Sequence, residues 1–123
     1  MNDPRILVVD DDDSLRRVLQ VQLEQIGYSV SVAPNGAEAL SMLRQTAFDL
    51  VLTDEAMPDL VGIELAGEIR RIRPDVPIVL MSGHGGVRLA NRAADIGVNE
   101  VLHKPLQRGD LAESIARHLR SID

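Results

Sequence analysis

The segment Phe48-Asp49-Leu50-Val51-Leu52-Thr53-Asp54-Glu55-Ala56-Met57-Pro58 limits the possible folds more than any other stretch of this chain. Leu50, Val51 and Leu52 are consecutive and apolar, where a strand with one wet face would alternate. Such a run, bounded by turn residues, is a strand covered on both faces, as in a parallel sheet. Asp54 then falls at the carboxyl end of the strand. In an open α/β sheet that rim binds ligands, because the loops there open into a crevice and helix starts point into it. Pro58 keeps the strand from running on.

The rest of the chain repeats the pattern. Arg5 to Val9 is a β-branched-rich run ending in Asp10-Asp11-Asp12-Asp13, and Leu15, Val18, Leu19, Leu23 and Ile26 follow at helical spacing until Gly27. Asp12, Asp13 or Ser14 supplies the cap of that helix. Tyr28 to Ala33 alternates as a second strand, and Asn35-Gly36 opens a helix through Ala37, Leu40 and Leu43. Beyond Asp54, Ile63, Ala66, Ile69 and Ile72 place a helix over Gly62 to Arg73, stopped by Pro74. Val76 to Met81 is a fourth strand, ending in Ser82-Gly83-His84-Gly85-Gly86, a mobile loop on account of its glycines. Val87 to Ile96 is a helix with Val87, Ala90 and Ala94 as its apolar face. That face buries little, which predicts the least firmly held helix. Glu100 to Leu102 is a short fifth strand closed by His103-Lys104-Pro105. Asp110 to Leu119 is the last helix, with Asp110 as cap and Leu111, Ile115 and Leu119 on one stripe. Five strands alternating with five helices, without repeat or linker, predict one doubly wound α/β domain over residues 1–123.

Composition narrows the function. The chain has no cysteine, which removes thiol chemistry and is compatible with a reducing cytoplasm. Tyr28 and Phe48 are its only aromatics, too few for a base-stacking platform. A formal net charge of -6 argues against direct binding of nucleic-acid backbones. Aliphatic runs such as Ile6 to Val9 and Ile78 to Met81 are far short of a membrane span, and the start lacks the pattern of an export signal.

In a parallel sheet Asp10-Asp11, Asp54, Ser82 and Lys104 share one rim. The set Val8-Val9-Asp10-Asp11, Asp54 with Met57-Pro58, Ser82-Gly83 and Lys104-Pro105, in this order and at these gaps, resembles the motifs of response-regulator receiver domains. The resemblance covers essentially the whole chain. It implies a flavodoxin-like strand order of 2-1-3-4-5 and a phosphoryl group transferred to Asp54 from a phosphohistidine. The donor is then a histidine kinase or a histidine phosphotransfer domain, in the same chain or another. It further implies Mg²⁺ held by Asp11, Asp54 and the backbone carbonyl of Ala56, with Asp10 acting through a coordinated water, and Lys104 and Ser82 meeting the phosphoryl oxygens. These residue types suit the chemistry. Phosphoryl transfer needs an in-line nucleophile and positive charge on the equatorial oxygens, and a hard cation prefers carboxylate and carbonyl oxygen. Two carboxylates about 4 Å apart repel by roughly 4 kcal/mol at an effective dielectric near 20, which favours a divalent ion and is partly offset by Lys104.

Plainer roles fit several residues. Asp12 and Asp13 read as caps or solvated charges, Glu55 as solvent-facing or a modulator of access to the site, and His84, His103 and His118 lack a metal-ligand spacing. In receivers, the positions of Ala56 and His84 border the entrance to the phosphoryl group. Val101 stands where many receivers have Tyr or Phe, so an inward ring swing cannot report the signal here, and Leu106 stands where Phe often follows. Met81 to Gly86 and Glu100 to Leu106 resemble receivers at the carboxyl end of hybrid sensor histidine kinases. Two rivals remain: a pseudo-receiver that docks partners without phosphorylation, and a haloacid-dehalogenase-like phosphatase with Asp10 as nucleophile in Asp10-x-Asp12. The phosphatase is disfavoured, since no second acidic pair follows a late strand and there is no cap insertion. A flavodoxin-like nucleotide binder lacks its glycine-rich cradle after the first strand.

Overall fold

Strands buried on both faces pair in parallel with helices above and below, and the apolar runs do so here. The computed structural model describes residues 3–57, 59–107 and 109–120. Along the chain lie β1 (Arg5–Val9), α1 (Asp13–Ile26), β2 (Ser29–Ala33), α2 (Gly36–Gln45), β3 (Leu50–Asp54), α3 (Gly62–Ile72), β4 (Ile78–Ser82), α4 (Gly86–Ile96), β5 (Glu100–His103) and α5 (Asp110–Arg120). The sheet order is β2-β1-β3-β4-β5, and every adjacent pair is parallel. This is the flavodoxin-like order that the receiver resemblance implies. Pro58, expected to end the third strand, lies outside the described residues.

Two core layers follow from strand alternation. Leu7, Val9, Val51 and Ile78 pack with Ala39 and Leu43 of α2 and Leu65, Ala66 and Ile69 of α3. Ile6, Val8, Leu50, Leu52, Val79 and Met81 face the other way, onto Leu19 and Leu23 of α1 and Leu111 and Ile115 of α5. Leu80 joins Ile63 under Leu89 and Ala93 of α4. Leu50, Val51 and Leu52 are each 0% exposed, which accounts for the unbroken run.

Local chemistry sets most element ends. Asp12 is the cap of α1, its Oδ1 accepting from the N–H groups of Ser14 (2.9 Å) and Leu15 (3.1 Å). Gly27 ends α1 at φ 120°, a left-handed conformation that favours glycine. Asn35 accepts from Glu38 N–H at 2.8 Å to start α2. β4 begins at Ile78, later than the expected Val76, because Pro77 has no N–H to give the ladder and offers only its carbonyl, to Val51 N–H at 2.9 Å. Asp110 also departs from expectation: it is the first residue of α5, and its Oδ2 accepts from Gln107 N–H upstream at 2.9 Å.

The face of α4 is the main correction. Leu89 and Ala93 are its buried residues, whereas Val87 is 77% exposed and Ala90 and Ala94 are also exposed. Leu89 and Ala93, not the expected Val-Ala-Ala stripe, meet the sheet. Among the described residues, no helix is long and apolar enough to cross a membrane.

Candidate functional site

Register brings the expected groups together. Val9 is level with Thr53, so Asp10 follows level with Asp54; Asp54 is level with Met81, one residue before Ser82. Ser82 is level with His103, one residue before Lys104, and Lys104 N–H continues the ladder to the Ser82 carbonyl at 2.8 Å. Parallel strands thus turn four sequence-distant motifs into neighbours on one rim. Lys104 reaches back along it, its Nζ 2.7 Å from Asp54 Oδ1.

The acidic side of the site is equally convergent. Asp10, Asp11 and Asp54 each place one carboxylate oxygen within 4.8 Å of the others. Asp10 and Asp54 are buried, and Asp11 is exposed to the solvent from which an ion would arrive. Asp10 Oδ1 accepts from Asp12 N–H at 2.9 Å. Its Oδ2 is buried without a hydrogen-bond partner among the described residues. Burial first, with the Asp54 charge adding and the Asp12 N–H opposing, pushes the Asp10 carboxyl above the usual carboxylate range. An orphaned buried oxygen on a residue clustered with two further carboxylates is a donor set that fits a hard, oxygen-seeking divalent cation.

Ser82 is 3% exposed. Its hydroxyl is turned into its own loop, donating to the His84 carbonyl and accepting from His84 N–H at 3.1 Å. Ala56 and His84 line a cleft of about 470 Å³ together with Asp54, Ser82, Arg88, Arg92 and Lys104. Val101 packs half-buried against the layer of Leu80, Leu89 and Ala93, and Leu106 against that of α1 and α5.

Several supports had little sequence signal. Glu55 is not simply solvent-facing: its carboxylate accepts from Ile63 N–H at 2.7 Å, and its backbone carbonyl accepts from Gly62 N–H at 2.8 Å. It therefore starts α3, whose N-cap residue Val61 has no capping side chain. Burial raises its carboxyl above the usual range, against the Ile63 N–H and the Arg92 charge. A Cβ on Gly62 would stand 2.5 Å from the Asp54 carbonyl oxygen, so this close approach holds α3 against the end of β3. Asp59 accepts at 3.3 Å from the N–H groups of both Gly36 and Ala37 at the start of α2. Arg16 donates to the Asp10 carbonyl at 2.7 Å and pairs with Asp13. His118 meets Glu100 at 2.8 Å, away from the acidic cluster.

Known proteins agree with this geometry. The family model described as the response regulator receiver domain matches residues 6–116. The chain is 38% identical over 121 residues to the transcriptional regulatory protein ZraR of Escherichia coli K12, covering 96% of this chain and 27% of ZraR. Across such curated relatives it spans from 25% to 53% of their length. A CheY-like receiver domain protein from Methanospirillum hungatei JF-1 superposes with a TM-score of 0.93 at 29% identity, covering 98% of this chain and 96% of that one. The response regulator TrrA of Thermotoga maritima, solved in complex with Mg²⁺ and BeF, superposes with a TM-score of 0.84 at 34% identity, covering 94% and 98%. The phosphatase alternative falls with these matches: the chain belongs to the response regulator receiver domain family of two-component signalling.

Proposed function

We propose that Asp54 is the phosphoryl acceptor of this receiver. The observation that carries it is the 2.7 Å pairing of Lys104 Nζ with Asp54 Oδ1 beside the Asp10 and Asp11 carboxylates. One Asp54 oxygen attacks phosphorus of a phosphohistidine, the P–N bond breaks, and the imidazole leaves with the electron pair. Lys104 stays close enough to follow the new negative charge. Ser82 has to leave the His84 carbonyl before its hydroxyl can donate to a phosphoryl oxygen, and the glycines beside it permit that turn. Asp11, Asp54 and the Ala56 carbonyl would hold Mg²⁺, with Asp10 acting through a coordinated water, and the ion would neutralise charge on the phosphoryl oxygens.

The phosphoryl group adds about 1.5 to 2 negative charges. It draws Ser82 inward and shifts a pre-existing equilibrium of the loop before α4. The donor is a histidine kinase or histidine phosphotransfer domain, and slow hydrolysis resets the state. Signalling rather than turnover of a free substrate is the role, with the cytoplasm as its place. The receiver domain is assigned to residues 1–123, of which 6–116 match the family model. The likeness of Met81 to Gly86 and Glu100 to Leu106 to hybrid-kinase receivers supports either a kinase core in the same full-length chain or a stand-alone relative of such receivers. A coding sequence joining a DNA-binding domain instead, as the relatives' names as transcriptional regulators suggest, overturns that point alone.

The test is intact-mass measurement after acetyl phosphate and Mg²⁺, with Asp54→Asn as control. The expected result is one added phosphoryl group on the wild-type chain and none on the variant. A wild-type chain that gains no phosphoryl mass leaves a docking module, the pseudo-receiver, as the better account.

A further inference from the structure

Arg88 and Arg92 share the wall of the cleft that opens onto Asp54, Ser82 and Lys104. They are one helical turn apart on α4, so both side chains fall on the same side of the helix. Both residues are exposed. Among the described residues Arg88 has no hydrogen bond or ion pair, and Arg92 has only the longer-range attraction of Glu55. Arg88 also sits in the first turn of α4, a turn with no acidic residue and no capping side chain. A cation at the positive end of a helix is disfavoured by the helix itself. Local helix stability does not account for Arg88, and neither does packing, because the residues that α4 buries are Leu89 and Ala93.

The electrostatics of the cleft supply a use. Any phosphoryl donor arrives as an anion at a site holding Asp10, Asp11 and Asp54, with Glu55 beside them, on a chain of net charge -6. Lys104 is already paired with Asp54. The other cations lining the cleft are Arg88 and Arg92. A guanidinium carries forked donors matched to phosphate oxygens and is charged at every physiological pH.

We propose that Arg88 and Arg92 determine which phosphodonors this receiver accepts, drawing in small doubly negative acyl phosphates ahead of less charged donors. This rests on Asp54 as acceptor. In the step they assist, an Asp54 oxygen bonds to phosphorus, the bond from phosphorus to the acyl oxygen breaks, and the carboxylate leaves with the electron pair. The arginines act by raising the local concentration of the donor and aiming its phosphoryl end, and they exchange no proton.

The experiment compares the rate of Asp54 phosphorylation by acetyl phosphate and by the less negative phosphoramidate. It uses the wild type, Arg88→Gln, Arg92→Gln and the double variant, at low and high salt with saturating Mg²⁺, after circular dichroism has matched the folds. With acetyl phosphate at low salt the double variant should react about 10-fold more slowly, the lower end of what a charged cleft contributes to association. The deficit should be smaller with phosphoramidate and should shrink at high salt. Equal wild-type and double-variant rates with acetyl phosphate overturn the proposal while leaving Asp54 as acceptor. An equal loss with both donors at every salt concentration also overturns it, since that is the mark of a distorted loop. A wild-type chain that takes no phosphoryl group from either donor overturns both this inference and the one beneath it.

Discussion

Asp10 is the residue at which the site works against the fold. Its carboxylate is 1% exposed, one oxygen has no partner among the described residues, and Asp54 and Asp11 add like charge. A buried carboxylate in that position costs stability that only a cation or a proton restores. Asp10→Asn removes the charge and keeps the shape, so without Mg²⁺ it should stabilise the protein by about 1–2 kcal/mol, within the range for relieving an uncompensated buried group. Urea unfolding measures this directly. The same variant should lose most of the gain that wild type shows on adding Mg²⁺. A variant less stable than wild type in the absence of metal would mean that the Asp10 carboxylate is held by contacts stronger than the Asp12 N–H and the Lys104 field.

At the scale of elements, α4 and β5–α5 carry separate consequences. Leu89 is 6% exposed under Gly85, and Val87 is 77% exposed. Leu89→Ala should therefore cost about 2–4 kcal/mol of unfolding free energy. Val87→Ala should stay within about 0.5 kcal/mol of wild type. Equal costs would mean that α4 presents another face. The sequence pattern was ambiguous here because Val87-Ala90-Ala94 and Leu89-Ala93-Ile96 both recur at helical spacing. What decides between them is the packing against Leu80 and Ile63, which depends on a strand pairing absent from local periodicity. Glu55 was obscure for a related reason: it caps a helix across a loop, from eight residues upstream, beyond the three-residue spacing of a capping box. Strand ends and the rim carboxylates were legible because burial on both faces and the break in polarity at Asp10 and Asp54 lie in consecutive residues. On the far edge, Glu100 of β5 accepts from Ser114 Oγ at 2.7 Å and from Arg117 at 2.6 and 2.8 Å, and meets His118 at 2.8 Å. Burial alone would raise its carboxyl, but the bonds from Arg117, Ser114 and His118 outweigh it and hold the carboxyl below the ordinary glutamate range. A lowered folded-state pKa contributes stability that is present above the unfolded-state pKa and is lost as pH falls through the folded-state value. Glu100→Gln should accordingly cost about 1 kcal/mol near neutral pH. The gap from wild type should close once acid has protonated Glu100, in pH-dependent urea melts. A gap that widens toward acid would reverse the sign assigned to this carboxyl.

The whole molecule is a sheet whose rim gathers charge from both ends of the chain, and this ties ligand binding to global stability. Asp10 stands after β1, Asp54 ends β3, Ser82 ends β4 and Lys104 follows β5, so no fragment of the chain presents the site without the parallel pairing of these strands. An unfolded chain then has negligible affinity for a ligand that needs all of these groups, and binding adds RT ln(1 + [L]/Kd) to the unfolding free energy. Beryllofluoride with Mg²⁺ stands in for the phosphoryl group on a carboxylate. At about 100 times its Kd it should stabilise the chain by about 2.7 kcal/mol. For a domain of this length that is a rise in Tm of roughly 10 °C. Mg²⁺ alone should give a smaller rise, because it engages the carboxylates but leaves Ser82 in its loop and Lys104 on Asp54. Asp54→Asn should retain a part of the Mg²⁺ effect and lose the beryllofluoride increment, since an amide oxygen does not bond to beryllium as a carboxylate does. Differential scanning calorimetry on the wild type and this variant separates the two contributions. An undiminished increment in Asp54→Asn would place the anion elsewhere on the surface and detach the acidic rim from the phosphoryl chemistry assigned to it.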